Sequence, residues 1–245
     1  MTSDEAGDVF ILDSAESDHG PARVLMLTSA APSAVQLPFP PLEHPSAITA
    51  DHDGAVMVYD EAKVVKLTPA TGHLQVIDFP GRNASVKSIA ASGGRVWILD
   101  STPEGTGDRD HLYSRDMSGV PGPTLDAGAT WLMSQLAGDG NGDVYVSDVG
   151  AVAKAGSDVP TVMSIAGVSE PSSMTVDAAG AIYVVDHSGD EARVVATTAG
   201  KTKSMDIPAG FSFSSGIGVD RAGNVYVADY SQNRILKLPA NHWTE

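Results

Sequence analysis

The sequence predicts an all-β chain, a six-bladed β-propeller of four-stranded antiparallel blades forming one domain over residues 1–245. Three observations predict it. A seven-residue pattern, G-x-[VI]-x-[IV]-x-D, occurs six times, its copies recur at near-constant spacing, and an Asp-x-x-Gly turn precedes five of the six.

The copies run Gly7 to Asp13, Gly54 to Asp60, Gly94 to Asp100, Gly142 to Asp148, Gly180 to Asp186 and Gly223 to Asp229. Their final aspartates are 47, 40, 48, 38 and 43 residues apart. A period of about 40–45 residues matches one four-stranded sheet per propeller blade. Asp4, Asp51, Asp139, Asp177 and Asp220 stand three residues before a copy's glycine, and Ala91 is the exception. Short apolar stretches lie upstream (Ala47 to Ala50, Ser173 to Val176, Gly216 to Val219). Downstream lie Lys63 to Leu67, Arg193 to Thr197 and Arg234 to Leu238, and then a fourth stretch such as Leu74 to Pro80. Each unit reads as strand a, a tight turn where glycine supplies φ > 0, strand b, loop, strand c, turn and strand d. Strand b is apolar on both faces, with Val144 and Val146 on one and Tyr145 on the other, as a blade packed between two neighbours requires.

The two ends of the pattern are short. Only Met1-Thr2-Ser3 precedes Asp4, and only Pro239 to Glu245 follow strand c of the last unit. The expectation is a domain excised from a longer polypeptide. Its first inner strand or last outer strand is then short, absent or borrowed from the tail around Trp243.

Composition excludes several function classes. The chain carries 15 Lys and Arg against 31 Asp and Glu, a formal charge of −16. Nucleic-acid affinity rests on cationic side chains that displace counterions, so no nucleic-acid partner is expected. Anionic membrane surfaces are disfavoured on the same ground. With no cysteine, disulfides, thiol catalysis and thiolate metal sites are excluded. No apolar run approaches the length of a membrane-spanning helix, so no insertion of this chain into a bilayer is expected.

The last unit, Ser215 to Leu238, resembles the NHL repeat, whose units run P-x-G-x-x-V-D-x-x-G-x-V-Y-V-x-D-x-x-N-x-R-V. The resemblance covers essentially the whole chain. Among such repeats the chain is most similar to the extracytoplasmic sensor domains of actinobacterial receptor-type Ser/Thr kinases. Those share the V-D-x-x-G-x-V-Y-V turn and the outer-strand ending seen here as Leu37-Pro38-Phe39. The resemblance implies an extracellular or cell-envelope location and a binding role. Units one, three and four depart from the pattern, and Ala151 to Ala155 lacks the usual Asn and Arg.

Chemistry in a propeller belongs at the channel mouth. Five residues before each turn aspartate stand Ser46, Ser134, Ser172 and Ser215, with Val86 in the third unit. Lactonase-type propellers hold a divalent cation there with carboxylates and amides, and hydroxyls with a valine do not replace that set. No metal site and no cofactor are expected. Small residues at this position also fit the crowding of strands around the axis. Seven histidines occur, none at H-E-x-x-H spacing, and no G-x-S-x-G elbow exists. His44 and His187 with Glu43 or Glu191 loosely resemble the histidines and glutamate of streptogramin-lyase propellers. Asp139-Gly-Asn141-Gly-Asp143 starts like a calcium loop but lacks the downstream glutamate, and reads as a structural turn. The six strand-b aspartates, one per blade, are expected to cap the b–c turn backbone.

Recognition is expected on the face where d–a and b–c loops emerge. Its candidate ligand-binding residues are His44, Ser46, Trp131, Ser134, Ser172, Phe211, Phe213 and Ser215. Phe39 and Phe79 are expected to end strand d and fill the gap between blades. Acidic b–c loops (Glu16 to Asp18, Glu104 to Asp110, Asp190-Glu191) would rim this face and favour a polar or cationic ligand or protein. Two readings stand: a non-catalytic ligand- or protein-binding sensor domain, and a propeller lyase or lactonase-type hydrolase with its site at the channel mouth.

Overall fold

A computed structural model describes the chain except residues 5, 15–19, 29–32, 52, 80–85, 103–108, 129–133, 149–150, 156–160, 178, 188–191, 199, 212–213 and 245. Six antiparallel sheets follow one another along the chain. Blade one holds β1 (Thr2–Ser3), β2 (Val9–Asp13), β3 (Arg23–Leu27) and β4 (Val35–Gln36). Blade two holds β5 (Pro45–Ala50), β6 (Val56–Asp60), β7 (Lys63–Thr68) and β8 (His73–Asp78). Blade three holds β9 (Val86–Ser92), β10 (Arg95–Thr102), β11 (Arg109–Asp116) and β12 (Pro121–Gly128). Blade four holds β13 (Gln135–Gly138), β14 (Val144–Asp148), β15 (Ala151–Lys154) and β16 (Thr161–Met163). Blade five holds β17 (Pro171–Val176), β18 (Ile182–Asp186), β19 (Arg193–Thr198) and β20 (Lys201–Asp206). Blade six has three strands among the described residues, β21 (Ser214–Val219), β22 (Val225–Asp229) and β23 (Arg234–Leu238).

The tail does not complete blade six. Thr244 instead exchanges two backbone bonds with Ser204 on β20, the outer strand of blade five, at 2.9 and 2.8 Å. Trp243 anchors this crossing, with its indole nitrogen 3.4 Å from the carbonyl of Gly223, its ring near Tyr183 and Lys203 above its face.

Strand b is the apolar centre of each sheet, and every one of Val56 to Asp60 in β6 and Ile182 to Asp186 in β18 is buried. Because strand b is apolar on both faces, the cores form between blades. One cluster joins blades two and three through Tyr59, Ile77, Phe79, Ile89 and Ile98. Another joins blades five and six through Tyr183, Val194, Ile217 and Val227. Burying each such aliphatic side chain contributes about 1.5–3 kcal/mol. Phe79 is 2% exposed and lies under the Arg115 guanidinium, while Phe39 packs against the core shared by blades one and two. Both fill gaps between blades.

The a–b turns repeat one device. Asp51 Oδ1 accepts the amides of Asp53 and Ala55, Asp139 those of Asn141 and Asp143, Asp177 those of Ala179 and Ala181, and Asp220 those of Ala222 and Asn224. The other oxygen of Asp139, Asp177 and Asp220 accepts the hydroxyl of Tyr145, Tyr183 or Tyr226 from strand b. Burial and the Asp177 charge push the Tyr183 phenol up, keeping it a donor.

Blade three departs by one residue. Its turn is Gly93-Gly94, both at positive φ, and Ser92 rather than Ala91 stands at the turn-aspartate place. Ser92 Oγ donates across to the carbonyls of Asp139 and Asp143 on blade four. The reading that aligned Val86 with the channel serines is therefore corrected, and Lys87 takes that place.

An inner strand has no sheet neighbour on its channel side, so half of its amides need other acceptors. Side chains of the adjacent blade supply them for four amides among the described residues. Thr49 Oγ1 accepts the Ala91 amide at 3.2 Å, Ser88 Oγ the Leu136 amide at 3.0 Å, and Gln135 Oε1 the Met174 amide at 3.4 Å. Ser173 and Ser214 share a hydroxyl hydrogen bond between blades five and six. Ser3 Oγ accepts the Val219 amide at 3.0 Å and ties blade one to blade six. At that same junction Gly7, at φ +81°, lies so close to Arg221 that a Cβ would fall 1.9 Å from its backbone nitrogen. The described residues thus form a hydrogen-bonded girdle linking the inner strands across five of the six blade junctions.

Thr49→Val keeps shape and removes the acceptor. It is expected to cost about 1–3 kcal/mol in urea denaturation, because the buried Ala91 amide is left unpaired. Thr175→Val, at the equivalent place in blade five, is expected to stay within about 0.5 kcal/mol. Equal losses for the two would refute the girdle.

Candidate functional site

An axial cavity of about 760 Å³, within the range of small-molecule sites, is lined by the inner strands and, at blades one and six, also by β2, β3, β22 and β23. Its wall draws on all six blades, and its upper end is shaped by β-bulges. The register shifts between Pro45 and Ala47, Pro171 and Ser173, Ser214 and Gly216, and opposite Leu99/Asp100 in blade three. The bulged residues are Ser46, Ser172, Ser215 and Lys87. An extra residue at a bulge re-aims its side chain. Ser46, Lys87 and Ser215 line the cavity. Ser172 turns its hydroxyl back to the Val185 carbonyl of its own blade at 3.3 Å, and Ser134 is buried outside the lining.

Deeper in, the wall is made of Thr49, Ser88, Gln135 and Thr175, alternating with apolar Ile48, Ile89, Leu136 and Met174. On the side of blades one and six it carries Asp13, Asp229 and Arg234. Both carboxylates are paired, Asp13 with Arg23 at 2.8 Å and Asp229 with Arg234 at 2.9 Å. Lys87 and Gln135 were not singled out by the sequence. The off-by-one turn hid Lys87, whereas Gln135 stands at a register where other blades carry different residues, such as Ala47 and Ser173.

The buried strand-b aspartates fix the mouth, though not as expected. Asp60 Oδ1 accepts the amides of Glu43 and His44, at 3.1 and 2.7 Å, and Asp186 Oδ1 those of Ser169 and Glu170, at 2.9 and 2.8 Å. These amides belong to the d–a connection ahead of strand a, so Asp60 and Asp186 pin that connection rather than cap the b–c turn, whereas Asp229 accepts the Ser231 hydroxyl of its own b–c turn at 2.8 Å. The second oxygens of Asp60 and Asp186 face a cation from strand c, Lys63 at 3.6 Å and Arg193 at 3.3 Å.

The backbone of His44 is held in this way while its imidazole stands in solvent, 76% exposed and 3.4 Å from Glu61. His187 lies on blade five, three blades around the ring from His44, so the structure does not join the two histidines in one centre. Phe211 is half-buried against the blade five–six core and stacks on His187 with centroids 5.4 Å apart. Trp131, Phe213 and Glu191 lie outside the described residues, as do Glu16 to Asp18, Glu104 to Asp108 and Asp190 of the acidic loops. Among the described residues no three of His, Asp and Glu lie close enough to hold a metal ion. In the calcium-like turn, Asp139 accepts two amides and the Tyr145 hydroxyl, and Asp143 pairs with Lys154. That is the bonding of a structural turn. No helix among the described residues is long and apolar enough to cross a membrane.

Fold and cavity together define a six-bladed β-propeller with a polar axial channel. Solved structures share that fold. A chain of a nidogen–laminin complex superposes with a TM-score of 0.68 at 15% identity, covering 96% of this chain and 90% of that one. An inactive virginiamycin B lyase from Staphylococcus aureus, with quinupristin, gives 0.55 at 14%, covering 95% and 89%. A gluconolactonase from Xanthomonas campestris gives 0.56 at 15%, covering 84% and 75%. At such identity they establish the fold and nothing finer. No protein-family model and no curated protein matches the chain.

Two outcomes follow. Burial pushes the His187 imidazole down from its ordinary value of 6.5, outweighing the opposing pull of Asp186 and Glu170. The unfolded chain then binds this proton more readily, so His187 stabilises the fold above pH 6.5 and that share is lost as pH falls through the folded value. An NMR titration is expected to place His187 below 6.5, and a midpoint above it would contradict the burial. EDTA is expected to leave the melting temperature unchanged, since a tightly bound ion would shift it by mass action. A clear drop would revive a metal site.

Proposed function

We propose that this chain is a non-catalytic binding domain whose axial channel receives a polar small molecule or a projecting segment of a protein partner. The observation that carries this reading is the channel wall. Among the described residues it sets hydroxyl and amide groups among apolar side chains, while Asp13 and Asp229 are tied to arginines. General acid–base or nucleophilic catalysis needs a base within hydrogen-bond reach of a reacting group. The described lining brings together no such pair. It does fit recognition, which uses a few placed polar groups in a largely preformed concavity.

The wider placement belongs to the same proposal. The six in-register repeats support an NHL-type sensor or interaction domain outside the cytoplasm. The nidogen–laminin structure supports protein binding as a use to which this fold is put. Fold alone does not fix function, so the channel is where the proposal stands.

Ser46→Tyr places a ring over the cavity from an exposed position. In an NMR screen of a small-molecule and peptide library, wild type is expected to show hits that shift inner-strand amides. Ser46→Tyr is expected to lose them with its melting temperature unchanged. Incubation with quinupristin or a gluconolactone is expected to leave both intact. Turnover of either would overturn the proposal in favour of an enzyme.

A further inference from the structure

Apolar clusters fill the junctions of blades one and two, two and three, three and four, four and five, and five and six. Among the described residues no such cluster joins blade six to blade one. That junction is tied at the axis by Ser3, and at the a–b turns by the close approach of Gly7 to Arg221. Farther out the cavity runs into it, past Ile11 and Leu25 on one side and Ala228 and Ile235 on the other.

The repeat shows what the gap lacks. In blades one, two and five the second residue of strand c, Val24, Val64 or Val194, is fully buried. Each is covered by an apolar residue on its outer side. Leu37 bonds its amide to the Val24 carbonyl, Ile77 stands opposite Val64, and Met205 stands opposite Val194. All three covering residues are buried in the cluster shared with the next blade. Ile235 holds this position in blade six, and no described strand lies outside it, because the tail leaves Leu238 for blade five. It is only half-buried. On blade one Ile11, Leu25 and Leu27 are half-buried as well, although their equivalents in blade two, Val58, Val65 and Leu67, are buried. Both walls of the gap are short of one apolar layer.

The backbone points to the same place. Amides of Leu37, Phe79 and Ile207 bond the carbonyls of Val24, Ala62 and Ala192, so alternate residues along strand c turn their main-chain groups outward. In blade six these are Asn233, Ile235 and Lys237, and Asn233 shares the left-handed conformation of Ala62. Such an edge templates a further strand. Outer strands of blades two and five also show its chemistry. Asp78 stands opposite Lys63 and Asp206 opposite Arg193, each between two apolar residues. The β23 edge likewise presents cations, the exposed Arg234 and Lys237. A second copy of β23 would bring more cations and no carboxylate.

We propose that the edge of β23 docks an extended segment of a partner protein with the pattern apolar–acidic–apolar. The segment adds to blade six as its fourth strand and fills the gap to blade one. Main-chain bonds to Ile235 and Lys237 hold it, its first apolar residue packs between Ile235 and Leu25, and its acid faces Arg234. The site lies on the outer side of the ring and does not depend on the channel holding a ligand.

The test uses a synthetic peptide with the sequence of His73–Phe79, which takes this place on β7, added to the whole isotope-labelled chain and followed by NMR. The peptide is expected to bind saturably, to shift the amides of Ile235 and Lys237, and to slow their exchange with solvent. Ile77→Asp in the peptide is expected to abolish binding. Asp78→Lys is expected to weaken it at least about fivefold, since an opposite-charge pair across strands becomes a like-charge pair. Absence of binding, or equal binding of all three peptides, would overturn the inference. A peptide that shifts inner-strand amides instead would overturn it too, while leaving the channel reading standing. Self-association of the chain that protects Ile235 and Lys237 without peptide would assign the edge to a second copy and overturn the partner segment.

Discussion

The inner strand of every propeller blade faces a problem that the rest of this molecule is organised around. It is an edge strand, with backbone amides pointing into the axial channel. A buried amide without an acceptor costs about as much as the fold gains from one aliphatic side chain. Here the cost is met from the adjacent blade, by Thr49, Ser88, Gln135 and Ser3. The same bonds that satisfy the backbone set the rotation of one blade against the next. They work with the apolar clusters between blades, which supply most of the cohesion but little direction.

That constraint also shapes the channel. Side chains recruited to accept amides have one acceptor site engaged by the protein and keep their donors and a second lone pair. The polarity of the wall is therefore a consequence of how the ring closes as much as a property selected for a ligand. Lys87 adds to it because the Gly93-Gly94 hairpin shortens the turn of blade three and the bulge of β9 brings a lysine to the place where four other blades carry serine. The buried aspartates Asp60 and Asp186 extend the order outward, each clamping the connection that leads into an inner strand.

Much of this was legible in the sequence because it repeats. Six copies of strand b gave the blade number, and the Asp-x-x-Gly motif gave turns whose aspartates bond the amides two and four residues on. What does not repeat was not legible. The girdle uses Ser88, Gln135 and Ser173 at one register but Thr49 and Ser3 at others, so no periodic signal marks it. Those residues read as small or polar side chains suited to a crowded axis. Alignment on glycine placed blade three one residue out, because a two-residue hairpin and an Asp-x-x-Gly turn end on the same residue type. The strand-b aspartates were recognised as blade-serving, but the amides that Asp60 and Asp186 accept lie 16 or 17 residues upstream on the d–a connection, beyond the reach of a local turn argument. Phe211 was a candidate ligand-binding residue in the sequence, and its ring stacks on His187, a contact between two loops that no local motif marks.

Hydrogen exchange tests the central claim most directly, since it reads the girdle amides one by one. If side chains of neighbouring blades cap the channel side of the inner strands, the amides of Ala91, Leu136, Met174 and Val219 exchange only with global unfolding. They are then as slow as the strand-b amides of Val58 and Val184 at the blade centres. Exchange of these four at the rate of an open edge strand, while strand b stays protected, would contradict the account.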